Sequence, residues 1–181
     1  QPLGRTAGNA LEIIETVECL QGMGPKDLMD VTLELSVHML LLTGRAAERD
    51  EAISLLQEHL RSGAALARFR ELVTHQGGDP GFIDNPECLP AAQFTHVVPA
   101  SDDGYVAQVD AEAIGKACVV LGAGRVKVED TVDHAVGVSA ISKIGSRVKK
   151  GEPLIMLHAN DQSRMNEAVT QIDGAFTLSN D

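Results

Sequence analysis

Two kinds of hydrophobic spacing divide the chain. Over residues 1–76 apolar side chains return at helical intervals. Ala10, Ile14, Val17 and Leu20 form one such face, and Gly22-Met23-Gly24-Pro25 ends it. Pro25 suits the first turn of a second helix, with Asp27 and Asp30 near the positive end of its dipole. From Leu28 to Leu42 apolar residues cover most of the circumference, which predicts a buried helix closed by Gly44. A third helix is expected from about Ala47 to Arg61, stopped at Ser62-Gly63. A fourth carries Leu66, Phe69, Leu72 and Val73 and ends at Gly77-Gly78.

Residues 77–92, with Gly77, Gly78, Pro80, Gly81, Pro86 and Pro90, read as a connecting segment. Beyond them the elements become short and strand-like: Phe94 to Val98, Tyr105 to Val109, Val136 to Ile141 and Leu154 to Leu157. Helices are expected between them near 111–121 and 162–173. The fold class that follows is α+β, or α/β in the wider sense. A helical segment, 1–76, precedes a connector, 77–92, and a compact α+β domain, 93–181. No internal repeat is visible.

Charge narrows the function. Fifteen Lys and Arg stand against 26 Asp and Glu, a formal net charge of −11, so no sizeable basic patch can be assembled. Nucleic acid and anionic membrane surfaces are therefore not expected as partners. The longest apolar run, around Val37 to Leu42, is too short to span a bilayer. No basic-then-apolar leader is seen. Cys19, Cys88 and Cys118 are odd in number and widely spaced, which suits packed thiols in a reducing cytoplasm.

Candidate chemistry is sparse. Leu121-Gly122-Ala123-Gly124-Arg125 offers backbone N–H groups to an anion, but it follows a helix where a phosphate loop precedes one, so a tight turn is the better reading. His38, on the helix expected to be buried, reads as a core histidine. His59, His75, His96, His134 and His158 form no pair at metal-ligand spacing. Glu12, Glu15 and Glu18 lie three apart on the first helix, just past the glycine-rich Leu3-Gly4-Arg5-Thr6-Ala7-Gly8. They form either a wet acidic face, or a face from which one carboxylate joins backbone carbonyls around a large monovalent cation. No complete active site is present. Gln1-Pro2-Leu3-Gly4 runs at once into a well-formed helix, and such a beginning suggests a piece of something longer.

The segment Gln1-Pro-Leu-Gly-Arg-Thr-Ala-Gly-Asn-Ala-Leu-Glu-Ile-Ile-Glu15 resembles pyrimidine-nucleoside and thymidine phosphorylases. Further matches are Gly24-Pro25-Lys26-Asp27-Leu28, Gly63-Ala64-Ala65-Leu66 with Phe69, and Gln76-Gly77-Gly78-Asp79. Asp103-Gly104-Tyr105-Val106, Leu121 to Arg125 and Val148-Lys149-Lys150-Gly151-Glu152-Pro153-Leu154 continue the series. The resemblance implies the C-terminal part of such an enzyme, comprising the end of its α/β domain and a hammerhead-like α+β domain.

It also implies an activity: cleavage of the N-glycosidic bond of uridine, thymidine or deoxyuridine by phosphate. The products are free base and (deoxy)ribose 1-phosphate. The family's phosphate-binding and base-binding groups lie upstream of the matched segment, so no catalytic residue is expected in this chain, which alone should be inactive. A potassium site is implied at the Leu3 and Thr6 carbonyls and the Glu15 side chain, its remaining ligands being upstream. Position 6 is more often Ala in the family, a change that a carbonyl ligand tolerates. Potassium binding by these residues alone should be weak or absent. The implied partners are the N-terminal part of the same enzyme and a second copy in a cytoplasmic homodimer. A different class, a stand-alone biotinyl- or lipoyl-like carrier, is suggested by the Gly104-Tyr105-Val106 and Gly145 to Glu152 spacing. However, Lys143 in Ser-Lys-Ile and Lys127 in Val-Lys-Val lack the context of a modified lysine.

Overall fold

The computed structural model describes residues 1–180. It resolves into two compact units whose division does not follow the hydrophobic textures. One unit takes Gln1–Ile13 together with the residues from Leu89 onward, and the other is Ile14–Cys88. Residues 1–13, grouped by sequence with the helices that follow, thus lie in the α+β unit. The helix α1 (Asn9–Leu20) contributes to both.

In the helical unit, α2 (Lys26–Leu42), α3 (Arg49–Arg61) and α4 (Ala64–His75) follow one another, then two short 3-10 turns at Pro80–Ile83 and Pro86–Cys88. The glycines and Pro25 punctuate this region where the sequence places the stops, and Gly63 (φ 76°) takes the left-handed conformation that separates α3 from α4. Packing runs α2 on α3 and α3 on α4. The buried cluster is small: Val37, Ala46 and Ala52, flanked by Leu40, Leu41, Ile53 and Leu56. Phe69 meets Phe82 edge-on, with ring centroids 6.3 Å apart.

The expectation that α2 is buried fails. Only Val37 is buried on it, while Val31, Leu35, Met39 and Leu42 are 40%, 56%, 63% and 87% exposed. An apolar circumference states how much surface a helix can bury; within this unit α3 covers one side of it. His38 is accordingly not a core histidine. It is exposed, with Nε2 3.2 Å from the Glu34 carboxylate one turn back.

The α+β unit contains two three-stranded antiparallel sheets. One has the order β1 (Phe94–Pro99), β5 (Pro153–Ala159), β3 (Gly137–Ser139); the other is β4 (Arg147–Val148), β2 (Gly104–Val109), β6 (Phe176–Ser179). The strands β4 and β6 were not expected from the sequence. Helices α5 (Ala111–Leu121) and α6 (Gln162–Ile172) pack on one another, with α6 also against β5 and β1 and α5 against β3. Asp110 caps α5 by accepting from the Glu112 and Ala113 N–H groups. The alternation along β5 sends Ile155, Leu157 and Ala159 inward, leaving Met156 and His158 half-buried on the opposite face. One continuous core joins Val106, Ile114, Ala117, Val136, Val138, Ile155, Leu157, Met165 and Ile172.

Candidate functional site

The first eight residues form a strap along the α+β unit, beside the free edge of β3. Ala7 and Val138 exchange both backbone hydrogen bonds, at 3.0 and 2.8 Å, adding one antiparallel bridge to the sheet. The Ile141 N–H donates to the Arg5 carbonyl at 3.1 Å. The Ile144 N–H donates to the Gln1 side-chain oxygen at 2.9 Å, and the Lys143 ammonium donates to the Pro2 carbonyl. At the far end the Ala10 N–H reaches the His134 carbonyl, and the Asn9 amide reaches the Ala123 carbonyl.

Two glycines make this approach possible. A Cβ on Gly8 would lie 2.6 Å from the Val136 oxygen, and one on Gly137 would meet the Ala7 oxygen. The strap is therefore a carbonyl-rich segment held by its backbone, with Leu3, Gly4 and Arg5 in a bend and the Leu3 side chain exposed.

The three glutamates of α1 separate into different roles. Glu12 reaches back to accept from the Gly8 N–H at 2.9 Å, while its own N–H donates to the Gly8 carbonyl. Glu18 is half-buried. Glu15, described with the helical unit, is only 4% exposed and is the one charged residue among the described residues that is buried. Burying a carboxylate demands compensation by charge or hydrogen bonds. Within the α+β unit the strap offers backbone carbonyl oxygens at Leu3 and Thr6, a donor type that a large monovalent cation accepts. A transition-metal centre has no counterpart: among the described residues no group of three His, Cys, Asp or Glu side chains is placed to hold a metal.

Elsewhere the sequence candidates resolve into structural roles. Gly122 (φ 105°) closes α5, its N–H and that of Ala123 donating to the Cys118 carbonyl, so the glycine-rich stretch is a helix-ending turn. A cleft of about 500 Å³ beside this turn is lined by Val119, Gly122, Gly124, Asp130, Arg164 and Glu167. Arg125 is not among the lining residues, and sequence reading gave no reason to single out Arg164. A second cleft, about 300 Å³ and between α2 and α3, contains the Glu34–Arg49 pair. There the guanidinium forms two parallel bonds to the carboxylate, one of 2.7 Å, and holds the Glu34 carboxyl below its ordinary range.

Burial raises the Cys118 thiol to about 11, and the Glu12 charge adds to the effect. Desolvation lowers His158, whose Nε2 lies 2.7 Å from the Ser139 hydroxyl. Lys143, the lysine a carrier would need to display, instead has its ammonium on the Pro2 carbonyl, and Lys127 lies in a turn closed by Asp130. No helix is long and apolar enough to cross a membrane among the described residues.

Comparison with known proteins extends these local features to the whole chain. Residues 105–179 match the model of the pyrimidine nucleoside phosphorylase C-terminal domain. Pyrimidine-nucleoside phosphorylases of Staphylococcus aureus strains USA300 and NCTC 8325 are each 43% identical over 178 residues, covering 98% of this chain and 41% of the relative. That of strain bovine RF122 matches to the same extent. The chain spans about two fifths of the length of these curated relatives, and what it matches is their C-terminal part.

Proposed function

We propose that the chain is the counterpart of the C-terminal part of a pyrimidine-nucleoside phosphorylase, and that it completes and steadies an enzyme whose reacting groups lie upstream. The whole protein would cleave uridine, thymidine or deoxyuridine. A phosphate oxygen bonds to C1′ as the C1′–N bond breaks, and the bond's electron pair leaves with the base. Such a reaction needs an anionic nucleophile held at C1′ and donors for the departing base. On this reading both sets of groups lie upstream, and the isolated chain would be inert.

Its contribution would be a cation site. The Leu3 and Thr6 carbonyls and the Glu15 carboxylate would hold potassium, which when bound supplies fixed positive charge beside the upstream phosphate loop. The carbonyl-rich strap supports this reading. The apolar stripe Val31, Leu35, Met39 and Leu42 on α2 would be covered by the N-terminal part of the same polypeptide, and the full-length protein would work as a cytoplasmic homodimer. The observation that carries the proposal is 43% identity maintained over 98% of the chain.

The test is phosphate-dependent release of uracil and thymine by the full-length protein, in potassium and in sodium, with the 181-residue chain beside it. Release by the full-length protein alone, faster in potassium, is the expected outcome. Phosphate-independent release, or none, overturns the assignment.

A further inference from the structure

We infer that Lys143 is a positioning residue for the potassium site: its bond to the Pro2 carbonyl sets the conformation of the Leu3–Thr6 carbonyls that would hold the ion. The inference rests on the proposed potassium reading and goes beyond it, because Lys143 is not a ligand.

The strap is an irregular segment whose peptide planes are fixed only by the bonds they make. A carbonyl cradle binds a weakly hydrated cation only when its oxygens are already turned inward, since each peptide plane left free must be ordered when the ion arrives. The strap's backbone is fixed at Arg5 by Ile141 and at Ala7 by Val138. Those bonds secure its far half. On the near side of Leu3 the anchors come from one short loop: the Ile144 N–H on the Gln1 side chain and the Lys143 ammonium on the Pro2 carbonyl. Leu3 and Thr6 therefore lie within a stretch clamped at both ends, and Lys143 makes the bond adjacent to Leu3.

The loop itself is shaped for this contact. Ala140 takes a left-handed backbone (φ 52°), rare for a residue with a Cβ, and this turn brings residues 141–144 alongside the strap. The Lys143 side chain is half-buried, so its bond is protected from competing water.

Positioning and simple electrostatics predict opposite signs, which makes the idea decidable. An ammonium near a cation site repels the ion, so removing its charge should tighten potassium binding if charge were its only effect. Removing a clamp should weaken binding. Loss of a group that orients a metal's ligands commonly lowers affinity on the order of ten-fold, and a change of that size is expected here.

The experiment uses the full-length protein and reads its thermal midpoint against potassium chloride, with choline chloride holding ionic strength constant. Lys143→Met should need about ten times more potassium for half of the stabilisation. Lys143→Arg, which keeps both cation and donor, should stay near wild type. So should Lys150→Met, which removes the charge of an exposed lysine in the same unit. If Lys143→Met does not fold, Lys143→Gln supports the same comparison.

A potassium response in wild type that K143M leaves unchanged, or tightens, overturns the positioning role alone. A midpoint lowered equally at every potassium concentration does so too, because it reports only lost packing. No potassium response in wild type overturns the potassium reading and this inference together.

Discussion

The two units are of similar order in chain length but differ in what they bury. The α+β unit has one core running through both sheets and both of its helices, from Val106 and Val138 to Leu157 and Ile172. The helical unit buries Val37, Ala46 and Ala52 and leaves the apolar stripe of α2 in contact with solvent. A sheet closes its own backbone hydrogen bonds and offers a face wide enough for two helices to cover. Three helices in sequence, each touching the next, leave each with an open side. The α+β unit thus has the makings of independent stability, whereas the helical unit depends on further surface being supplied.

The largest effect that would test this contrast comes from paired truncations. Leu157→Ala should cost about 3 kcal/mol by emptying the centre of the α+β core. Val37→Ala should cost less, about 1–2 kcal/mol, because little apolar surface surrounds it to be lost. Urea unfolding followed by residue-resolved amide exchange measures both, and a Val37 cost equal to that of Leu157 would break the comparison.

Next in size is Gly137→Ala. Its Cβ would meet the Ala7 carbonyl, so it should detach the strap at a cost of about 2 kcal/mol while the exchange rates of α3 and α4 stay unchanged. Faster exchange in α3 would show that the units are not separately stabilised.

A comparable effect is expected from alkaline pH. The Cys118 thiol, raised from 9.0 to about 11, keeps its proton in the folded state while the unfolded chain loses it. Unfolding therefore releases a proton between these values, and stability should fall by roughly 2 kcal/mol as pH rises through them. Cys118→Ala should remove the slope. A slope that persists would assign it to another group.

The smallest effect is Asp110→Ala, which deletes the α5 cap and should cost about 1 kcal/mol without exposing any core residue. A thermal midpoint unmoved from wild type would show that α5 is held by packing alone.

The helices were legible because their ends are written in residues that cannot continue them: Gly22 to Pro25, Gly44, Gly63 and Gly77. The strands β1, β2, β3 and β5 were legible through alternation. Two residues of β4 contain no period to read, and β6 is four residues long. The burial of α2 was misread because a helix's pattern shows its capacity for contact, while the contacts themselves depend on neighbours. At the site, the line of glutamates on α1 was visible, but the different roles of Glu12 and Glu15 were not. Which carboxylate turns back to Gly8 and which is buried depends on tertiary placement. The strap was least legible of all, because backbone atoms make most of its bonds and any sequence supplies those. Its one local trace is a pair of glycines, Gly8 and Gly137, far apart in the chain.

Pro2 and Lys143 are 141 residues apart, and the helical unit is threaded between the strap and the rest of the α+β unit. The helical unit is therefore an insertion in a discontinuous fold, and the strap has an edge to dock on only after β3 has been made. Closing so long a loop carries an entropic cost that grows only logarithmically with its length, so the final state is not much weakened. The delay falls on the rate instead, since β3 must be formed before Ala7 has an edge to join. On a ribosome the strap emerges before the helical unit and must wait for β3, so the segment proposed to hold the ion becomes ordered only after Val138 has been made.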